Sequence, residues 1–144
     1  MLARKVVTRS GRGFRGNFPS KKLNRMVQFE SILERDAIKW FDSDPEVVSF
    51  QEQPTIIFYL DEMGESRKYF PDFELKLKSG LLIHVEVKPE ARMAEMKNQQ
   101  KFQSISENYR NRKEIFVILT CAYLHREPKR SIAEIVQNTC VEET

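Results

Sequence analysis

The chain has little cysteine and little histidine. Cys121 and Cys140 are its two cysteines, and His84 and His125 its two histidines. Neither pair has the close spacing of a zinc site, and two distant cysteines make no disulfide framework. Any metal held here must therefore take carboxylate oxygen, which favours a hard cation such as Mg2+ or Mn2+. No stretch approaches the roughly 18 apolar residues of a membrane span, and Met1–Lys5 is not followed by the apolar core of a signal peptide. A cytoplasmic location, in a prokaryote or a phage-infected cell, is the expectation. No glycine-rich loop leads into Lys-Ser or Lys-Thr, and no Gly-x-Ser-x-Gly occurs, so neither an NTPase nor a serine-hydrolase elbow has support.

Acidic residues are also missing, but from one region alone. Residues 1–25 hold Arg4, Lys5, Arg9, Arg12, Arg15, Lys21, Lys22 and Arg25 with no Asp or Glu, so the remainder carries −5 against a total of +3. Gly11, Gly13 and Gly16 interleave with the arginines. The segment reads as a flexible basic arm that can follow a polyanionic backbone and release its counterions. A solvated tail that aids solubility is the plainer alternative.

The rest of the 144 residues fits one α/β unit. Phe29, Ile32, Leu33 and Ile38 recur at helical spacing, and Ser31-x-x-Glu34 fits a capping box that opens a helix ending near Pro45. Val47–Gln53 and Thr55–Leu60 read as strands split by Pro54, with a turn at Asp61–Glu65. Arg67–Leu77 alternates as one half-buried strand, Ser79-Gly80 turns, and Leu81–Lys88 returns. Arg92–Tyr109 is a long polar helix. Ile115–Cys121 is a continuous apolar run of the kind found in central strands, which places Cys121 in the core. Ser131–Gln137 closes the pattern as a short helix. The order predicts a mixed β-sheet flanked by helices.

The chemistry is concentrated in Pro71-Asp72 and Glu86-Val87-Lys88. Strand alternation turns Ile83, Val85 and Val87 to one face and His84, Glu86 and Lys88 to the other, with Glu86 and Lys88 about 7 Å apart along the backbone. Asp72 lies on the preceding strand, beside a proline of the kind tolerated at an edge or bulge. Asp72 and Glu86, with the Val87 backbone carbonyl as a third ligand, suit a divalent cation beside a phosphodiester. Lys88 is placed to orient or deprotonate a water, or to stabilise developing charge. The ordinary alternative for acid-x-Lys is a solvated strand face. Glu34 carries the same tension: a capping residue by position, or a carboxylate that completes the metal site, with Glu30 as the local competitor for that role. His84 shares the face of Glu86 and reads most simply as a surface histidine.

Pro-Asp followed by Glu-x-Lys, with a preceding helix that carries Glu, resembles the PD-(D/E)XK nuclease superfamily. The five spaced segments Phe29–Asp36, Phe41–Val47, Gln51–Pro54, Tyr69–Phe73 and Val85–Pro89 are similar to the N-terminal catalytic domain of TnsA-type transposon endonucleases, over roughly residues 19–121. The resemblance implies a restriction-endonuclease-like core in residues 26–144. It implies catalytic roles for Glu34, Asp72, Glu86 and Lys88, and Mg2+-dependent (or Mn2+-dependent) cutting of double-stranded DNA. TnsA-type transposases cut the 5′ ends of the element while a partner cuts the 3′ ends. They usually carry a C-terminal winged-helix domain, whereas this chain runs only to Thr144. The expectation is a free-standing endonuclease of a phage or other mobile element, or a subunit whose transposase or phage partner supplies targeting. A second copy of the chain is also an expected partner, and a membrane is not. The competing reading is a DNA-binding or interaction subunit without catalysis.

Overall fold

The computed structural model describes residues 15–125 and 131–136. The main sheet has four strands in the order β3 (Val47–Glu52), β6 (Phe73–Leu77), β7 (Leu82–Val87), β8 (Ile115–Leu119). The first three run antiparallel and β8 runs parallel to β7, so the sheet is mixed as the pattern predicts. A parallel return needs a crossover. It is made by α2 (Glu90–Met93) and α3 (Met96–Asn111).

The sheet is covered on both faces. Ile83, Val85 and Val87 join Phe73, Leu75, Val117 and Leu119 in a core with α1 (Ile32–Ser43), whose Ala37, Ile38, Trp40 and Phe41 are buried. The opposite side carries a smaller cluster of Tyr59, Tyr69, Phe102, Ile105 and Tyr109, with Phe116 and Ile118 packed against it. Tyr59 and Tyr69 come from β4 (Ile57–Leu60) and β5 (Ser66–Tyr69), which pair in a separate two-stranded sheet. Among the described residues no helix is long and apolar enough to cross a membrane.

Four local readings need correction. Arg67–Leu77 is not one strand: it divides at Phe70-Pro71-Asp72 into β5 and β6, which belong to different sheets. Pro71 has no N–H to continue a ladder, and the chain changes sheets there. The polar helix is also divided. Glu95 is extended, and the buried Asn98 side chain donates to the Arg92 carbonyl across the break (2.8 Å). Among the described residues β8 pairs with β7 alone, so it is an edge strand. Cys121 lies beyond β8 and opens α4 (Cys121–Leu124); its Sγ is 2.9 Å from His125 Nδ1, and His125 Nε2 is 2.8 Å from Asp36 Oδ2. The thiol thus belongs to a polar tie between α4 and α1. The last expected helix is present over residues 132–136, where Asp44 accepts from Ile132 N (2.9 Å) and Ser131 Oγ; Gln137 lies outside the described residues.

The basic arm is the largest difference. Gly16–Ser20 (β1) and Arg25–Phe29 (β2) form an antiparallel hairpin instead of a flexible segment. Gly16 lets the strand pass close to the Phe29 ring: a Cβ there would stand 2.7 Å from its tip, so the ring would have to shift. Lys22 closes the C-terminal end of α1, with its Nζ donating to the carbonyls of Phe41 (2.7 Å), Asp44 (2.6 Å) and Val47 (2.5 Å). A cation at a helix C-terminus satisfies carbonyls that have no intrahelical partner. Burial pulls its ammonium below the ordinary lysine range, against the pull of Asp44 and Asp42. Arg25 makes a forked pair with Glu52 (3.0 and 2.7 Å), which raises its pKa. Lys22 and Arg25, expected to meet DNA, are thus engaged within the fold. Arg15 and Lys21 are exposed, and Arg4, Lys5, Arg9 and Arg12 lie outside the described residues.

Candidate active site

Asp72, Glu86 and Lys88 meet where β6 and β7 end against the Pro71 break. The ladder pairs Phe73 with Val85. Beyond it the Asp72 side chain takes over: its Oδ2 accepts from the Val87 N–H at 2.8 Å, while the Asp72 N–H donates to the Val85 carbonyl at 3.0 Å. Pro71 breaks the backbone ladder, and the neighbouring carboxylate satisfies the strand end. That bond fixes Asp72 against the peptide between Glu86 and Lys88.

Glu86 is only 8% exposed and Asp72 7%. Two carboxylates at such depth require partners. Glu86 Oε1 accepts from the Tyr69 hydroxyl at 2.5 Å, and Oε2 faces Lys88 Nζ at 3.6 Å. Lys88 Nζ lies 5.0 Å from the centre of the Phe102 ring, and Lys101 Nζ 5.4 Å from the same ring. The aromatic face attracts both ammoniums. The Tyr69 hydroxyl is held far above its ordinary pKa, first by burial and then by the charges of Glu86 and Asp72. Both carboxylates therefore act on one hydroxyl, which stays protonated.

The expected surface face of β7 is thus a covered one. His84 is buried, with Nδ1 2.7 Å from the Tyr109 hydroxyl and Nε2 2.9 Å from Glu74 Oε2. Burial keeps the Tyr109 hydroxyl protonated, so donation to Nδ1, with Nε2–H donating to Glu74, satisfies all three groups. The surface reading of His84 is corrected by this packing. Tyr69, Phe102 and Tyr109 are the site-lining residues that sequence reasoning missed. Tyr69 had a signal, since it stands two residues before Pro71 at the break. Phe102 and Tyr109 gave none beyond helical spacing.

Glu34 does what its capping position predicts. Its N–H donates to Ser31 Oγ (3.1 Å), and its Oε1 accepts from Glu30 N and Ser31 Oγ, each at 3.3 Å. The capping box is the role these bonds show.

The donor set fits a small hard cation. Among the described residues no three His, Cys, Asp or Glu side chains group around a common point. Mg2+ does not require such a group: it is commonly held by one or two carboxylates and keeps several waters. A carboxylate has about four lone-pair sites, so the Val87 bond does not exhaust Asp72. Two buried carboxylates and a lysine thus stand at one strand end of a mixed α/β fold.

The TnsA-like endonuclease N-terminal family matches residues 44–121, which include Asp72, Glu86 and Lys88. The chain belongs to this family. It is also similar to the head completion nuclease of Enterobacteria phage T4, 27% identical over 66 residues. That match covers 45% of this chain and 44% of the relative, so the chain spans less than half of the curated protein it matches. Both matches carry the name of a nuclease.

Proposed function

We propose that the protein is a divalent-metal-dependent endonuclease that hydrolyses phosphodiester bonds of double-stranded DNA. The observation that supports this reading is that, beside the Pro71 break, the Asp72 carboxylate holds the Val87 N–H while Glu86 stands 3.6 Å from Lys88. Asp72, Glu86 and the Val87 carbonyl are the proposed ligands of Mg2+ or Mn2+, with Glu34 as an additional helix carboxylate. A bound ion of this kind neutralises the phosphate and makes water a better nucleophile. Lys88 orients that water or steadies the charge that develops as the P–O bond breaks. Arg4, Lys5, Arg9, Arg12, Arg15 and Lys21 remain the proposed backbone contacts to DNA; Lys22 and Arg25 do not, because the fold uses them. Likeness to a phage nuclease favours a phage or mobile-element setting inside the infected cell. A phage or transposase partner, or a second copy of the chain, would supply targeting.

The test is cleavage of supercoiled plasmid with Mg2+ or Mn2+. Asp72→Ala and Lys88→Ala are expected to lose about a hundredfold or more in rate, in line with the loss of an acid–base or charge-stabilising group. Glu34→Gln keeps a capping-box side chain. It reads the role of the carboxylate alone, and unchanged cutting removes Glu34 from the site. Cutting by Asp72→Ala and Lys88→Ala at the wild-type rate contradicts the proposal.

A further inference from the structure

We infer, resting on the reading above, that Tyr69 is a positioning residue for metal binding: its hydroxyl holds one oxygen of Glu86 so that this carboxylate meets the cation through the other. Tyr69 is the last residue of β5 and is only 4% exposed. Its ring packs edge-on against Phe102 (6.1 Å, 86°) and Phe116 (5.7 Å, 87°), which stack on each other. Seated against that pair, the ring carries its hydroxyl to Glu86 Oε1, 2.5 Å away. Oε2 is turned toward Lys88.

A buried tyrosine often does no more than satisfy its hydroxyl. Here the acceptor is a proposed ligand, and the consequence is specific. Partners behind a ligating carboxylate fix its orientation, and their loss typically costs 10- to 100-fold in metal affinity or activity. A carboxylate turned by a bond at one oxygen presents chiefly the other oxygen to a cation. That suits the small octahedral Mg2+ or Mn2+ and disfavours Ca2+, which takes more ligands and often a bidentate carboxylate. The proline break sets this arrangement up. Tyr69 stands on the separate β4–β5 sheet and Glu86 on the main sheet, so the hydroxyl spans the two just before the chain crosses.

The experiment is calorimetric titration of Mn2+, and separately Ca2+, into the full chain without DNA. Wild type, Tyr69→Phe, Phe116→Leu and Glu86→Ala are compared, with thermal melting of each. Tyr69→Phe is expected to bind Mn2+ about tenfold more weakly and to narrow the preference over Ca2+. Phe116→Leu disturbs the same packing on the Tyr69 ring but keeps the hydroxyl; its Mn2+ affinity is expected to stay closer to wild type even where its melting temperature falls further. Glu86→Ala is expected to lose Mn2+ binding. Wild-type affinity and preference in Tyr69→Phe, beside loss in Glu86→Ala, overturn the inference and leave the metal site standing. Equal weakening in Tyr69→Phe and Phe116→Leu also overturns it, because packing then accounts for the effect. Mn2+ binding by Glu86→Ala equal to wild type, or none by wild type, overturns the metal reading and the inference together.

Discussion

The two faces of β7 are both buried, but by different means. On one, Ile83 and Val85 are fully enclosed against α1 and need nothing but apolar neighbours. On the other, His84 and Glu86 are nearly as deep, yet each is matched by specific polar partners: Tyr109 and Glu74 for His84, Tyr69 and Lys88 for Glu86. The first face stabilises through area removed from water. The second gains little net stability from its bonds, because they replace bonds to water, but it loses much if one partner is removed. What the polar face obtains is fixed geometry around two carboxylates and a lysine.

Substitutions on the two faces should separate these roles. Ile83→Ala opens a cavity beneath α1 and is expected to cost about 2–5 kcal/mol in a denaturant titration. The protein that remains folded should still cut DNA, because no group of the site is removed. A loss of cutting beyond the folded fraction would mean that the apolar face also sets the site. His84→Ala is a smaller stability change, about 1–3 kcal/mol, because it strands the Tyr109 hydroxyl and the Glu74 carboxylate. Its Mn2+ affinity should hold, since His84 meets neither Asp72 nor Glu86 through a bond in the structure. A fall in affinity matching that of Glu86→Ala would make the polar face one coupled network.

Much of this was legible in advance, and the failures are physical. The capping box at Ser31–Glu34, the turn at Gly80 (φ 91°) and the alternation in β7 all appear where residue chemistry places them. The set proposed for the site stands out in the sequence because strand alternation and a single proline place Asp72, Glu86 and Lys88 by local rules. The cover over its face does not. Helix α3 is rich in Lys, Gln and Asn, and its Phe102 and Tyr109 show their purpose only when packed on β7. Lys22 and Arg25 misled for the converse reason. Charge alone marks a basic arm, but their partners Val47 and Glu52 lie 25 and 27 residues away, a tertiary fact with no local signature. Pro71 was seen as a bulge signal when it marks a change of sheet.

The most direct measurement is the anomalous scattering of Mn2+ in crystals of the protein soaked with that ion. The account predicts a peak between the carboxylates of Asp72 and Glu86, within ligating distance of the Val87 carbonyl and beside Lys88. Soaked crystals that show no peak there, or a peak only at other residues, would contradict it.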